Sequence, residues 1–359
     1  MMLTDKIKTF EKLGIFLEQF SSTGGQTESL MPWLEELNDQ FFRPMESIIQ
    51  SSHIHNPWFT EDNMRLALGT TSRSLNAESL VSWLSCYAEP SSPADPKTIA
   101  VIMAGNIPMV GFHDMMSVLI SGHNLLAKLS VKDDQMLKMI AEVISFINGE
   151  FNGKISFADG RLKDFDAVIA TGSDNTARYF EYYFGKYPNI IRKNRNSAAI
   201  LDGSETTGDL EGLADDVFRY FGLGCRSVSK IFVPPDYDFE ALLVAFNKYS
   251  HIINHNQWAN NYEYQRAIHL IDQIPHLDTG FIVIREDSSL SSPISVLNYE
   301  KADSPESALI IARKDNEKLQ CLVGKQSLAD NIVPFGKAQE PALNDYSDNV
   351  DTLEFLFNL

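Results

Sequence analysis

Short apolar runs alternate with longer amphipathic segments from Thr98 onward. Strands are predicted at 98–103, 124–130 and 166–173, and helices at about 111–121, at about 134–146 and from 175. The apolar runs have the length of strands buried on both faces, and strands that are separated by helices pair in parallel. The pattern therefore predicts an α/β fold with a doubly wound parallel sheet.

The same alternation continues in the second half of the chain. Strands are predicted at 197–202, 227–235, 280–286 and 294–300, and helices at 209–221 and across 238–272. The chain is long enough for each alternating section to bury a core of its own. We therefore expect two doubly wound α/β domains.

The first ninety or so residues follow a helical pattern instead. Apolar residues recur at helical spacing between Ile7 and Phe20, the stretch "SSTGGQT" interrupts them, and a second helix is predicted from about 29 to 49. A Pro- and Ser-rich linker, "EPSSPADP", precedes the first strand. An N-terminal helical segment is thus expected before the two α/β domains.

Charge and cysteine content exclude several classes of function. The chain of 359 residues has a formal net charge of -18 and no basic stripe with interleaved aromatics, so no nucleic-acid partner is expected. Its three cysteines are Cys86, Cys225 and Cys321. Their wide spacing indicates neither a disulfide framework nor a structural zinc site.

Neither a signal peptide nor a membrane span is predicted. The N-terminus has no basic region followed by an apolar block, and the most apolar stretch, 98–122, is interrupted by Asn106, Pro108, His113 and Asp114. A cytoplasmic location is expected.

Cys225 is a candidate nucleophile. It lies in "FGLGCRSVSK", where a predicted helix stops at Gly222 and Gly224 before a predicted strand. Backbone N–H groups at such a junction, with Arg226 and Lys230 close in sequence, could stabilise a thiolate. The residue type alone favours the alternative that Cys225 is a small core residue.

Two loops at strand carboxyl ends are candidate ligand sites, because open α/β sheets bind ligands there. In "AGNIP" the Asn106 amide could donate to an oxyanion, or Asn106 could be an ordinary turn residue. In "ATGS", Gly172 and Ser173 precede a helix N-terminus, which suits the pyrophosphate of a dinucleotide. No G-x-G-x-x-G follows a strand. His251 and His255 have the spacing of a metal pair but lack the Glu of H-E-x-x-H, so no metal site is expected.

Taken in order, these segments resemble the aldehyde dehydrogenase superfamily, most closely its LuxC-type branch of long-chain acyl-CoA reductases. "GNIP" resembles the superfamily's W-N-F/Y-P turn, "AKLSVKDD" its K-P-S-E segment, "ATGS" its F-T-G-S turn, and "GLGCRSVSKIFVP" the stretch with the catalytic Cys. The resemblance implies that Cys225 is the nucleophile and that Asn106 helps to hold the oxyanion. It also implies a catalytic domain at 196–325 and a cofactor-binding domain made of 1–195 with a return segment, 326–359.

The general-base Glu of the oxidising relatives is missing. Their E-L-G-G-K motif is replaced by "RKNRNSAAILDG", which resembles the G-N-R-x-S pattern of the reductase branch, and their E-x-F-G-P segment is matched only by "SLSSPISVL". Without that base, water is not activated to hydrolyse a thioester, so reduction is favoured. The resemblance implies an NAD(P)H-dependent reductase that converts acyl-CoA to aldehyde through a cysteine thioester. It also implies a homo-oligomer, and it allows for a partner protein that transfers acyl groups.

Two alternatives stay open at this point. An acyl-phosphate reductase of the same fold also lacks the base Glu. A catalytically silent binding or scaffold protein would account for the poor match to the ribose-binding segment.

NADPH is expected as the cofactor in preference to NADH. Lys128, Ser130 and Lys132 alternate along a predicted strand, so their side chains lean toward one face of the sheet. In the superfamily this segment lies beside the adenosine ribose. Two lysines and a hydroxyl favour a 2′-phosphate there, whereas Asp133 and Asp134 would oppose it if the strand ended early.

Overall fold

The computed structural model describes residues 1–22, 31–87, 93 and 95–359. These residues form two compact units: Met1–Lys193 together with Ala342–Leu359, and Asn194–Pro341. No helix within the described ranges is both long and apolar enough to span a membrane.

The first unit begins with a helical segment. Its helices are α1 (Leu3–Glu18), α2 (Pro32–Leu37), α3 (Arg43–His55), α4 (Glu61–Ser74) and α5 (Ala77–Leu84), and a π-helical stretch, Asn38–Phe42, joins α2 to α3. The apolar stripe of α1 packs against α4 and α7, with Phe10, Leu13 and Phe16 fully buried. The predicted helices are present, whereas most of the "SSTGGQT" and "EPSSPADP" segments lies outside the described residues.

A five-stranded parallel sheet follows. Its elements are β1 (Thr98–Ile102), α6 (Phe112–Ser121), β2 (Asn124–Lys128), α7 (Gln135–Ile147), β3 (Ile155–Phe157), β4 (Ala167–Thr171), α8 (Asp174–Phe184) and β5 (Asn189–Arg192). The strand order is β3-β2-β1-β4-β5. The doubly wound sheet is confirmed. β3 and β5, which are short strands at the two edges of the sheet, were not predicted.

The second unit contains a seven-stranded sheet. Its elements are β6 (Asn196–Ile200), α9 (Thr207–Phe218), β7 (Val228–Val233), α10 (Glu240–Phe246), α11 (Asn256–Ile271), β8 (His276–Asp278), β9 (Val283–Glu286), β10 (Val296–Lys301), α12 (Pro305–Lys314), β11 (Leu319–Val323) and β12 (Ile332–Val333). The strand order is β12-β11-β6-β7-β10-β9-β8, and β8 runs antiparallel to β9. The predicted second α/β domain is therefore present, with three further strands, β8, β11 and β12.

The return segment is shorter than expected. It begins at Ala342 and not at residue 326, because β12 pairs with β11 and therefore belongs to the second sheet. The last helix, α13 (Thr352–Phe357), packs against α6 in the first unit. There the Thr352 hydroxyl accepts a hydrogen bond from Arg192 at 2.8 Å.

Candidate active site

In the first unit, the candidate residues lie at the carboxyl ends of the strands of the five-stranded sheet, referred to below as its carboxyl edge. Ile102, the last residue of β1, pairs with Lys128 on one side and Ala170 on the other. From β1 the chain builds β2 and β3 on one side and β4 and β5 on the other, and such a switch point is where doubly wound sheets bind ligands. The residues at this edge are Asn106 after β1, Lys128, Ser130 and Lys132 at the end of β2, and Gly172 and Ser173 after β4.

Asn106 is exposed in the loop between β1 and α6. The neighbouring Gly105 touches the segment after β2: a methyl group on Gly105 would lie 2.5 Å from the Ser130 hydroxyl. Only glycine allows this approach. The Gly105 carbonyl also accepts a hydrogen bond from the Asn56 amide at 3.4 Å.

The other side of this loop is bonded to Asp133. The Asp133 carboxylate, 5% exposed, accepts a hydrogen bond from the Met109 N–H at 2.9 Å. Burial raises the pKa of Asp133 to about 7. The next carboxylate, Asp134, bonds to Lys138 on α7 at 2.7 Å.

The strand that carries Lys128 ends sooner than expected. β2 stops at Lys128, and in the turn that follows the Ser130 hydroxyl accepts from the Lys132 N–H at 3.3 Å. The Ser130 carbonyl accepts from the Asp133 N–H at 3.0 Å, which closes the turn. Lys128, Ser130 and Lys132 therefore do not alternate along one strand, and that expectation is wrong.

Gly172 and Ser173 lie between β4 and α8. The Ser173 hydroxyl accepts a hydrogen bond from the Thr176 N–H at 3.4 Å and caps the helix. A methyl group on Gly172 would lie 3.0 Å from the side chains of Thr176 and Phe180, so glycine lets the strand end approach α8 closely. The first N–H groups of a helix of this length favour an anion.

Cys225 lies in the second unit, half-buried in a turn directly before β7. The preceding α9 ends earlier than predicted, because Tyr220, Phe221 and Gly222 adopt left-handed conformations with φ of 54°, 56° and 66°. A non-glycine residue in this conformation costs about 1–2 kcal/mol. The buried Phe221 ring lies 4.3 Å from the His255 ring, a contact that holds the chain reversal in place.

The basic neighbours of Cys225 have defined partners. Lys230 is buried, and its ammonium group bonds to the Glu300 carboxylate and to the Ser288 carbonyl. The Arg226 Nε donates to the Ala338 carbonyl at 2.7 Å. Because Glu300 compensates its charge, Lys230 stabilises the interior of the sheet and does not stabilise a thiolate at Cys225.

Ser197 and Cys321 were missed by the sequence analysis. Ser197 is fully buried in β6, and its hydroxyl donates to the Cys225 carbonyl at 3.0 Å. The same hydroxyl accepts from the Cys321 N–H at 3.2 Å and lies 3.1 Å from the Cys321 sulfur. The register of β11 against β6 shifts between Leu319 and Leu322, which lets the Cys321 N–H turn to this hydroxyl. The sequence feature that could have identified Ser197 is a single hydroxyl residue followed by three apolar residues in "NSAAI".

Asp216 joins α9 to the segment 336–339. Its buried carboxylate accepts hydrogen bonds from the N–H groups of Gly336 at 2.7 Å and Ala338 at 2.9 Å. Burial raises the pKa of Asp216 to about 7. From the same segment, the Gln339 amide donates to the Ser227 hydroxyl at 3.1 Å, two residues after Cys225.

The two histidines with metal-like spacing have structural contacts. The His255 ring accepts a hydrogen bond from the Trp258 N–H at 3.4 Å at the start of α11. The His251 ring stacks on Tyr249, with centroids 5.9 Å apart. Across the described ranges no group of three or more His, Cys, Asp or Glu residues could hold a metal ion.

The two α/β units define the fold of the aldehyde dehydrogenases. Aldehyde dehydrogenase 21 from Physcomitrella patens, in complex with succinate, aligns with a TM-score of 0.68 and 12% identity over 100% of this chain and 84% of that chain. An acetylating aldehyde dehydrogenase from Geobacillus thermoglucosidasius aligns with a TM-score of 0.62 and 11% identity, over 99% of this chain and 90% of that chain. A mutant of the P. syringae indole-3-acetaldehyde dehydrogenase AldA, in complex with NAD+ and IAA, aligns with a TM-score of 0.57 and 17% identity, over 90% of this chain and 77% of that chain. At these identities the likeness shows the fold alone.

The sequence assigns the chain to one family within this class. The profile of the acyl-CoA reductase (LuxC) family matches residues 75–274, more than half of the 359 residues. No curated protein matches the sequence significantly. The chain belongs to the acyl-CoA reductase (LuxC) family, as the resemblance predicted, and is an oxidoreductase that converts acyl-CoA to aldehyde.

Proposed function

We propose that this reduction proceeds through a thioester on the sulfur of Cys225. The observation that carries the proposal is the setting of Cys225, half-buried in a turn after three left-handed residues, with its carbonyl held by the Ser197 hydroxyl at 3.0 Å. A thiol on a fixed backbone attacks from a restricted set of directions, which favours a covalent step. Exposed Cys86 has no such setting.

In the first step the Cys225 thiolate attacks the carbonyl carbon of acyl-CoA. A carbon–sulfur bond forms to Cys225, the bond to the CoA sulfur breaks, and CoA leaves as its thiolate. The carbonyl oxygen carries negative charge during this exchange. We assign the Asn106 amide and the Cys225 N–H as its hydrogen-bond donors.

The carboxyl edge of the first sheet fits a nicotinamide dinucleotide. Lys128 and Lys132 offer cations on one side, and Gly172 and Ser173 offer a close-packed helix N-terminus on the other. The NAD+ in the P. syringae relative supports a nicotinamide, and we propose NADPH in preference to NADH. When bound in its reduced form, the cofactor supplies the hydride that turns the thioester into a thiohemiacetal, from which the aldehyde leaves.

The composition of β6 supports reduction over hydrolysis. Asp202 is the only carboxylate in "RKNRNSAAILDG", the segment that replaces the base-bearing motif of the oxidising relatives, and it is paired with Lys325 at 2.8 Å. A thioester on Cys225 would therefore react with hydride or CoA more readily than with water. A cytoplasmic location, a homo-oligomer and a partner that transfers acyl groups stay predictions from the family resemblance.

Mass spectrometry of the intact protein tests the proposal. The chain is incubated with acyl-CoA of several lengths, or with acyl phosphate, in the absence of a reductant. We expect the mass of one acyl group to be added from acyl-CoA, in wild type and in Cys86→Ala, and no addition in Cys225→Ala. An adduct that persists in Cys225→Ala would refute the nucleophile. A preference for acyl phosphate would refute the thioester substrate, and an absence of any adduct would favour a silent binding protein.

A further inference from the structure

Asp133 is a buried carboxylate in the turn that follows β2. Its carboxylate accepts a hydrogen bond from the Met109 N–H at 2.9 Å. Met109 is itself left-handed, with φ of 60°, a conformation that is unfavourable for a residue with a side chain. The hydrogen bond to Asp133 therefore stabilises a strained backbone at this point.

The loop that carries Asn106 is held on both sides by the same turn. On one side, Gly105 packs so closely against Ser130 that a methyl group there would lie 2.5 Å from the Ser130 hydroxyl. On the other side, Met109 is bonded to Asp133. Residues 130 and 133 are joined in turn by the hydrogen bond from the Asp133 N–H to the Ser130 carbonyl at 3.0 Å. The backbone on both sides of Asn106 is thereby fixed.

Burying an ionised carboxylate at this position costs free energy. Burial raises the pKa of Asp133 to about 7, so its ionised form is disfavoured there. An apolar residue of similar size commonly stabilises a buried site as well or better. What such a residue lacks is an acceptor for the Met109 N–H.

We propose that Asp133 is a positioning residue that holds Asn106 in the orientation needed to donate to the oxyanion. This rests on the proposed role of Asn106. Asp133 does not touch the substrate in this scheme. It acts through the backbone at Met109, and a displaced donor loses much of its effect because oxyanion stabilisation depends on preorganisation.

A double-mutant cycle in the full-length protein tests the proposal. Asp133→Ala and Asp133→Leu both remove the acceptor, and the second fills the space with an apolar side chain, so whichever variant folds carries the test. Each is made in wild type and in Asn106→Ala, and the rate of acyl-adduct formation from acyl-CoA is measured. Asp133→Asn keeps an oxygen that can accept from Met109. Asp134→Ala is the matched control, because Asp134 bonds instead to Lys138 at 2.7 Å.

We expect Asp133→Ala and Asp133→Leu to lower the maximal acylation rate by about ten- to a hundredfold, with the KM for acyl-CoA nearly unchanged. Asp133→Asn should restore most of the rate. In the Asn106→Ala background the Asp133 variants should have little further effect. Independent, multiplicative losses, or a rise in KM alone, would overturn the positioning role while leaving Asn106 as the donor. A normal rate in Asn106→Ala alone would instead refute the oxyanion role on which both depend.

Discussion

The Ser197 hydroxyl donates a hydrogen bond to the carbonyl oxygen of Cys225 at 3.0 Å. It also accepts from the Cys321 N–H at 3.2 Å, so one buried hydroxyl connects the turn of the nucleophile to two strands of the second sheet. A side chain that makes both bonds restrains the backbone at the thiol more firmly than packing alone.

Ser197→Ala should lower the acylation rate about tenfold, because the Cys225 carbonyl loses its partner and the turn gains freedom. We also expect a loss of about 1–3 kcal/mol in the free energy of unfolding, since two buried polar groups lose a partner. Stopped-flow acylation and urea unfolding measure the two effects. Ser292→Ala, which loses a 2.6 Å bond to the Val296 carbonyl, is the control for stability loss alone. Equal acylation rates in both variants would contradict the restraint.

Asn106→Ala should reduce turnover by about two to three orders of magnitude, the usual loss when an oxyanion donor is removed. The fold should be retained because Asn106 is exposed. Steady-state kinetics and circular dichroism check both points, with Asn260→Ala on the exposed face of α11 as the control. Unchanged turnover would make Asn106 a turn residue only.

The acyl adduct on Cys225 should hydrolyse slowly when no cofactor is present, because the general-base Glu of the oxidising relatives is missing and the one carboxylate in the replacing segment, Asp202, is paired with Lys325. Added CoA should return the acyl group as acyl-CoA, and added NAD(P)H should release it as aldehyde. Time-resolved mass spectrometry follows the adduct. Rapid appearance of free fatty acid would show that a water-activating residue exists.

NADPH should be preferred over NADH, although the side chains after β2 do not alternate along a strand. The opposing carboxylates are engaged elsewhere: Asp133 is buried against Met109, and Asp134 bonds to Lys138. The exposed Lys132 is then the cation best placed to contact a 2′-phosphate. Lys132→Ala should erode the preference more than it lowers the maximal rate. The ratio of kcat/KM values for the two cofactors decides this, and a wild-type ratio at or below one removes the assignment.

Asp216→Asn should destabilise the second unit most at acidic pH. The folded pKa of Asp216, about 7, lies above the usual value for an unfolded chain, so its contribution to stability is greatest below about pH 4 and is lost as the pH rises toward 7. The variant cannot titrate, and its amide can accept only one of the two N–H groups of Gly336 and Ala338. Urea unfolding between pH 5 and 7.5 should show the gap between wild type and variant narrowing as the pH rises. A constant or widening gap would contradict this.

The periodicity of the sequence predicted the strands that lie inside the two sheets, except β11. β1 and β4 are almost continuous apolar runs because both of their faces are covered, whereas β7 and β10 also contain polar residues such as Lys230 and Asn298. β3 and β12 escaped detection because a strand of two or three residues at a sheet edge leaves no measurable period. The division between the units was misplaced at residue 326 for a related reason: β12 is fixed by pairing with β11 and not by its own residues.

The candidate site was predictable only where local chemistry marks it. Glycines and a thiol identify the turn at Cys225, and an Asn after a strand identifies Asn106. The support for these residues comes from far along the chain: Ser197 and Cys321 meet only because β6 and β11 are neighbours. The sharp turn that buries Asp133 could not be distinguished from a continued strand, because Lys128, Ser130 and Lys132 also fit a period of two.

The return of Ala342–Leu359 to the first unit affects the order in which the protein can fold during its synthesis. The second unit, Asn194–Pro341, is a continuous stretch and can complete its core as soon as it leaves the ribosome. The first unit begins earlier but must wait for the last stretch of chain, which supplies the Leu343 carbonyl to His113 and the Thr352 hydroxyl to Arg192. The half that is translated first is therefore completed last, and until then the surface of α6 that α13 covers is open to chaperones and proteases.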